Sequence, residues 1–254
     1  MLVPVISFIA WNRWTLHALA SAQARYRSAG LPTTVESIRP PSVPDAGNAA
    51  PLIERIGVLR EDPAFAGPTG TFERLDTFKK AHPAYRLDPI AVKQLASILD
   101  DPVPGEILAL TRAAAAMDGY DAHPRFEKGF PSPDPGVAAL RTSFQLLEWH
   151  VRMTASSGRA EEACADAWTM FAAAEFSAQQ PTMLAMFVRL VRLDAALDAL
   201  EKLAATQSLT PEWAARFARH LHGLDLTPDL LRALDGERIL GASPAFEDFL
   251  RGQP

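Results

Sequence analysis

The sequence contains one cysteine, Cys164, which excludes an internal disulfide and any Cys-x-x-Cys zinc or redox motif. It has no apolar run near the ~20 residues that a bilayer-spanning helix needs. It has no basic run longer than Lys79-Lys80, and its 25 Lys and Arg are outnumbered by 30 Asp and Glu, for a formal charge of −5. That balance argues against a nucleic-acid surface, which needs clustered cations to meet phosphate. Also missing are a glycine-rich phosphate loop, a Gly-x-Ser-x-Gly elbow and a His-Glu-x-x-His pair. The sequence therefore carries no recognisable catalytic constellation, no metal motif and no cofactor motif, and it names no reaction.

What is present is 254 residues, 48% of them hydrophobic, enough to bury a sizeable core and to exclude a disordered chain. The composition is biased toward alanine (44) and proline (21), and 16 of the prolines lie at or before Pro135. Proline fixes φ and removes a backbone donor, so the first half is expected to form short helices broken by extended turns, and the second half long ones. No stretch alternates apolar and polar residues long enough to form a sheet. The expectation is an all-α fold: an irregular helical bundle with a proline-interrupted N-terminal half and a helical-hairpin C-terminal half. Its segments are an apolar start and first helix (residues 1–30), a proline-rich region (31–133) and a helical core bundle (134–254).

Residues 1–11 are apolar apart from Ser7, and Trp11 and Trp14 stand at their end. Three readings are open: the remainder of a longer membrane anchor, a buried hydrophobic turn, or an interfacial segment with its tryptophans at headgroup depth. Membrane contact would then run through residues 1–14. Residues 12–29 suit a helix ended by Gly30. Asn48 is placed to cap the helix that carries Leu52, Ile53, Ile56 and Leu59.

A repeated start signal, a capping oxygen followed by proline, occurs at Asp88-Pro89, Asp101-Pro102, Asp134-Pro135, Thr210-Pro211, Thr227-Pro228 and Ser243-Pro244. Residues 137–157, a Ser156-Ser157-Gly158 turn and residues 159–178 read as a helical hairpin, similar to one unit of a tetratricopeptide array but without the regular copies an array needs. After Pro181 comes a helix apolar almost all round in its first half, expected to be buried on most sides as the centre of the domain.

The chemistry-bearing candidates are few. On the central helix Arg189 and Arg192 must be paired or reach an edge, and Leu234-Asp235-Gly236-Glu237-Arg238 places a glycine and two charges in a helical region. Arg189, Arg192, Glu237 and Arg238 are thus a candidate polar cluster, either internal ion pairs or a binding site. Met183, Met186 and Phe187 are a candidate apolar pocket or simply core. His220 and His222 lie two apart and face different ways on a helix, as do Glu148 and His150, which disfavours a shared site in either case. Cys164, among alanines, reads as a small buried hydrophobe.

The ordered motifs Gly30-Leu-Pro-Thr-Thr, Val43-Pro-Asp, Asn48-Ala-Ala-Pro, Gln179-Gln-Pro-Thr-Met-Leu and Leu234-Asp-Gly-Glu-Arg make the chain resemble a group of uncharacterised bacterial proteins of planctomycete type. That resemblance implies a helical domain behind an N-terminal membrane helix, held outside the cytoplasm, with no activity to carry over. The function expected first is a non-enzymatic scaffold or protein-interaction domain with an unidentified protein partner, tethered near a membrane. A binder of an apolar small molecule or lipid comes second, and an enzyme of unrecognised type, centred on the polar cluster, third.

Overall fold

Proline and capping oxygens start most of the helices, and the computed structural model describes them over residues 17–18, 20–22, 24–123, 126 and 135–242. The apolar opening segment with its proposed membrane contact at 1–14, and the caps expected from Asp134 and Ser243, lie outside the described residues. The named helices are α1 (Val35–Ile38), α2 (Ala50–Leu59), α3 (Pro63–Ala66), α4 (Thr71–Ala81), α5 (Pro89–Leu99), α6 (Pro102–Ala115), α7 (Pro135–Ser156), α8 (Ala160–Ala174), α9 (Met183–Ala205), α10 (Pro211–Gly223) and α11 (Thr227–Gly236). A π-turn, Glu237–Ala242, follows α11. The protein is all-α, and among the described residues the only β-type pairing is one bridge between Asn48 and Gly119.

The start signals act in different ways. Asp88 caps α5 by accepting from the Ile90 and Ala91 amides, both at 2.8 Å. Asp62-Pro63 is a further copy of the same signal, and Asp62 accepts from Ala64 at 2.8 Å. Asp101 instead pairs with Arg74, and the Thr210 hydroxyl is buried without a partner, so neither side chain caps its helix. At Thr227 the cap shifts back to Asp225, which accepts from the Thr227 amide at 2.9 Å.

The hairpin forms as the sequence predicts. Gly158 turns the chain at φ +76°, a left-handed value that residues with a Cβ rarely adopt. Ala163, Cys164, Ala167, Met170, Phe171 and Ala174 on α8 are fully buried, and the small side chains let α7 approach closely. The N-terminal half contributes to this core. Ile53 and Ile56 of α2 are buried completely, α2 packs on both α6 and α7, and one apolar cluster runs from Ala49 to Phe217 across the boundary at residue 134. Arg152 of α7 donates to the carbonyls of His82 (2.6 Å), Ala84 and Tyr85 (2.7 Å), which staples the loop after α4 to the bundle.

Helix α9 packs on α8, on the 3₁₀ turn Glu175–Gln179 and on α11. Ile38, Phe126, Ile239 and Leu240 form a small separate cluster there, with Val35 against it.

Candidate functional site

Helix α9 is amphipathic in an unexpected sense. Its inward face carries Arg189 and Arg192, 3% and 6% exposed, among Ala185, Met186, Leu193 and Ala196. Its outward face carries Leu184, Phe187 and Val191, exposed to 63%, 57% and 70%. The expectation of burial on most sides is corrected on this point: an apolar sequence all round cannot show which side faces solvent, and here the arginines took the inside because two acids meet Arg189 there and a hydroxyl and a carbonyl meet Arg192.

Those acids come from other elements. Arg189 donates through Nη1 to Asp229 of α11 at 2.5 Å and through Nη2 to Glu175 at 2.6 Å, and Arg232 approaches the other Asp229 oxygen at 3.5 Å. Two cations and two anions balance, which is what lets a guanidinium sit under a helix. Arg192 donates to the Ser177 hydroxyl at 2.6 Å and the Val137 carbonyl at 3.3 Å, with its guanidinium 5.9 Å from the Phe144 ring centre.

Glu237 and Arg238 serve a different joint. Thr182 caps α9 by accepting from Ala185 at 3.1 Å, and Glu237 accepts from the Met183 amide at 2.9 Å. Two of the free amides at the start of α9 are so satisfied, and a carboxylate stands at its positive end. Arg238 donates to the Pro32 carbonyl (2.5 Å) and to Asp235 (2.8 Å), and lies 4.4 Å above the Tyr26 ring. The four residues of the candidate polar cluster thus belong to three places: an ion-pair network, an interhelical clamp and a clasp over the start of α9.

Of the candidate apolar pocket, Phe187 lines a groove between α9 and α7, and Met183 and Met186 are not among that groove's walls. Met186 is buried and Met183 half-buried. The groove holds about 400 Å³ between α9 and α7, with Val137, Arg141, Phe144, Phe187, Val191 and Ala195 on its walls. A second, more polar depression of about 520 Å³ lies between α4 and α7 beside Tyr85, Trp149 and Lys202. Burial, with Glu148 nearby, pushes the Tyr85 phenol up to about 12, so it stays protonated.

One buried constellation was not legible in the sequence. Asp166 of α8, nearly fully buried, accepts from Arg112 of α6 at Oδ1 (2.7 Å) and Oδ2 (3.1 Å), and Nδ1 of His150 lies 2.5 Å from the same Oδ2. Burial pushes the Asp166 carboxyl up, but the hydrogen bonds from His150 and Arg112 outweigh it and hold it below the usual carboxylate range. The carboxylate is therefore ionised and the imidazole Nδ1–H is the donor. The one available signal, missed in reading the sequence, was an aspartate on the apolar stripe of an alanine helix, between Ala163 and Met170. No lining residue of either groove belongs to this trio.

The remaining candidates sit in packing. Cys164 is fully buried with its thiol pushed up by burial, away from nucleophilic use. His220 stacks edge-on against Trp168 and Phe171 at 5.3 and 5.5 Å, in an aromatic nest with Trp213 and Phe217. Among the described residues no three His, Cys, Asp or Glu side chains are grouped to hold a metal, and no helix is long and apolar enough to cross a membrane.

Comparison with known proteins finds no match for this chain among family models, curated proteins or solved structures.

Proposed function

We propose that the chain is a non-enzymatic helical scaffold that engages a protein partner through the outward face of α9 and its groove against α7. The observation that carries this reading is the exposure of Leu184, Phe187 and Val191 on a helix whose arginines are buried. Single exposed hydrophobes are ordinary, but three in register beside an apolar groove form the kind of patch that soluble proteins keep for binding. Ion pairs and packing hold the face in place from below, so it is presented rigidly.

A photo-crosslinking side chain placed at Phe187 in cells of the source organism tests it, with Ile90 on α5, also well exposed, as the control position. A discrete protein adduct at 187 and none at 90 is expected. Equal labelling at both positions, or none at either, sinks the proposal.

The 400 Å³ groove supports the second reading, an apolar small molecule or lipid, which a native mass spectrum of the purified chain would reveal as a retained ligand. Tethering near a membrane through residues 1–14 follows from the resemblance, and flotation with vesicles is its test. Trp11→Ser with Trp14→Ser should abolish flotation.

A further inference from the structure

The outward stripe of α9 does not stop at Val191. Leu184, Phe187, Val191, Asp194, Asp198 and Glu201 follow one another at steps of three, four, three, four and three residues, and all six are exposed. This is the seam spacing by which one helix receives another. The seam divides by chemistry into three large apolar residues and then three acids. From Leu184 to Val191 it offers about two turns of apolar contact, and the acids continue it for two more.

The acidic half is costly to the isolated chain. Asp194 and Asp198 are four apart, Asp198 and Glu201 three apart, and like charges at those spacings repel. Glu201 also lies near the negative end of the helix dipole, where an anion is disfavoured. Lys202 relieves Asp198 alone, by a direct ion pair, and lies 3.9 Å from Glu148, a further exposed acid on the neighbouring wall. Asp194 and Glu201 have no ion-pair partner among the described residues.

We infer that the occupant of this seam is a partner helix with an apolar stripe at one end and lysines or arginines at the other, laid along α9 so that its cations meet Asp194, Asp198 and Glu201. The inference rests on the reading of α9 as a docking face and adds the chemistry of what docks. Charge complementarity selects this occupant over the others. A second copy running parallel would set acids against acids, and one running antiparallel over the whole seam would set Leu184 and Phe187 against Glu201 and Asp198, so only the apolar half could meet its own copy and the acids would stay unanswered. An anionic bilayer would be repelled by the same three carboxylates.

The test uses the full chain and two fluorescent helical peptides of about 21 residues that share one apolar heptad stripe, one ending in three lysines and the other in three glutamates. Fluorescence anisotropy at low and high salt reads their affinities. The lysine-ended peptide is expected to bind about tenfold tighter, with the difference shrinking as salt screens it. Asp194→Lys with Glu201→Lys should reverse the preference, and Phe187→Asp should weaken both peptides. All three substitutions are on exposed positions, and circular dichroism confirms that the variants fold. Equal binding of the two peptides, binding of neither, or a concentration-dependent dimer dissolved by Phe187→Asp overturns the inference. An adduct at position 187 in cells together with equal peptide binding would leave the docking face standing and remove only its proposed chemistry.

Discussion

The carbonyl oxygen of Pro181 lies so close to the α-carbon of Gly236 that a Cβ built there would stand 1.6 Å from it, and 2.7 Å from the carbonyl carbon. Glycine costs about 1 kcal/mol against alanine in a helix interior, and this contact is what it is for. The strand of chain entering α9 crosses directly over the end of α11, and the next residue, Glu237, then reaches the Met183 amide. Backbone, unlike a side-chain tip, cannot yield. Gly236→Ala is therefore expected to lose about 2 kcal/mol by forcing the two segments apart, read as a lower urea midpoint with an unchanged slope. Gly57, inside α2 with nothing within 4 Å of its Cβ position, is the control, and Gly57→Ala should gain up to about 1 kcal/mol.

That joint also shows what was legible in advance. Some of the short motifs picked out in the sequence meet one another in space, and Val43 and Asn48 instead fasten onto the segment at Gly119 and Asp121. Pro181 touches Gly236, Arg238 holds the Pro32 carbonyl, and the side chain of Val43 packs where a Cβ on Gly119 would stand 3.0 Å away. Asn48 accepts from the Ala50 amide (3.0 Å) and exchanges hydrogen bonds with the backbone of Asp121. They are the fasteners of the fold, which fits their mix of proline, glycine and capping residues. Helix starts were readable because a cap and its proline are adjacent, yet Asp101 escaped because Arg74, 27 residues away, draws its carboxylate off, and Thr210 is followed by its helix without its hydroxyl capping it. The orientation of α9 was not readable at all. It depends on Glu175 and Asp229, which precede and follow the arginine by 14 and 40 residues. The same holds for His150 and Asp166, brought together only by the hairpin turn.

Removing Arg189 should be worse than removing either acid. The guanidinium is buried, while Glu175 and Asp229 retain some contact with water. Arg189→Met leaves the carboxylates of Glu175 and Asp229 sharing only the more exposed Arg232, a loss of roughly 3 kcal/mol once their partial exposure is allowed for. Adding Glu175→Gln and Asp229→Asn should return much of it, because the repulsion goes with the charge. A double- and triple-mutant series of urea melts checks this, and additive losses would contradict the network.

Asp166 makes stability fall in acid. Its folded pKa lies below the unfolded value, so its contribution is fully present above the unfolded carboxylate range, near pH 4, and disappears as pH drops through the depressed folded value. Asp166→Asn removes the charge that Arg112 and His150 hold. It is expected to cost about 2 kcal/mol at neutral pH and to flatten the acid limb of the stability curve. Thermal melts between pH 3 and 7 on both proteins give the comparison, and parallel curves would show that this carboxyl does not titrate as described.

The two faces of α9 should respond oppositely to mutation, and the contrast separates a surface held for binding from a surface merely left over by packing. Leu193 is buried among the core helices, so Leu193→Ala opens a cavity and should lose between about 2 and 5 kcal/mol. Phe187 and Val191 contribute little to the fold, because more than half of each side chain already meets water. Phe187→Asp with Val191→Asp is expected to leave the unfolding midpoint within about 0.5 kcal/mol of the parent. It should nevertheless reduce the fluorescence of an apolar dye bound to the native protein and raise its solubility, since the patch itself is gone. A large loss of stability in the double variant would mean that these side chains are covered by the protein itself. The outward face of α9 would then be core, and the docking reading would fall with it.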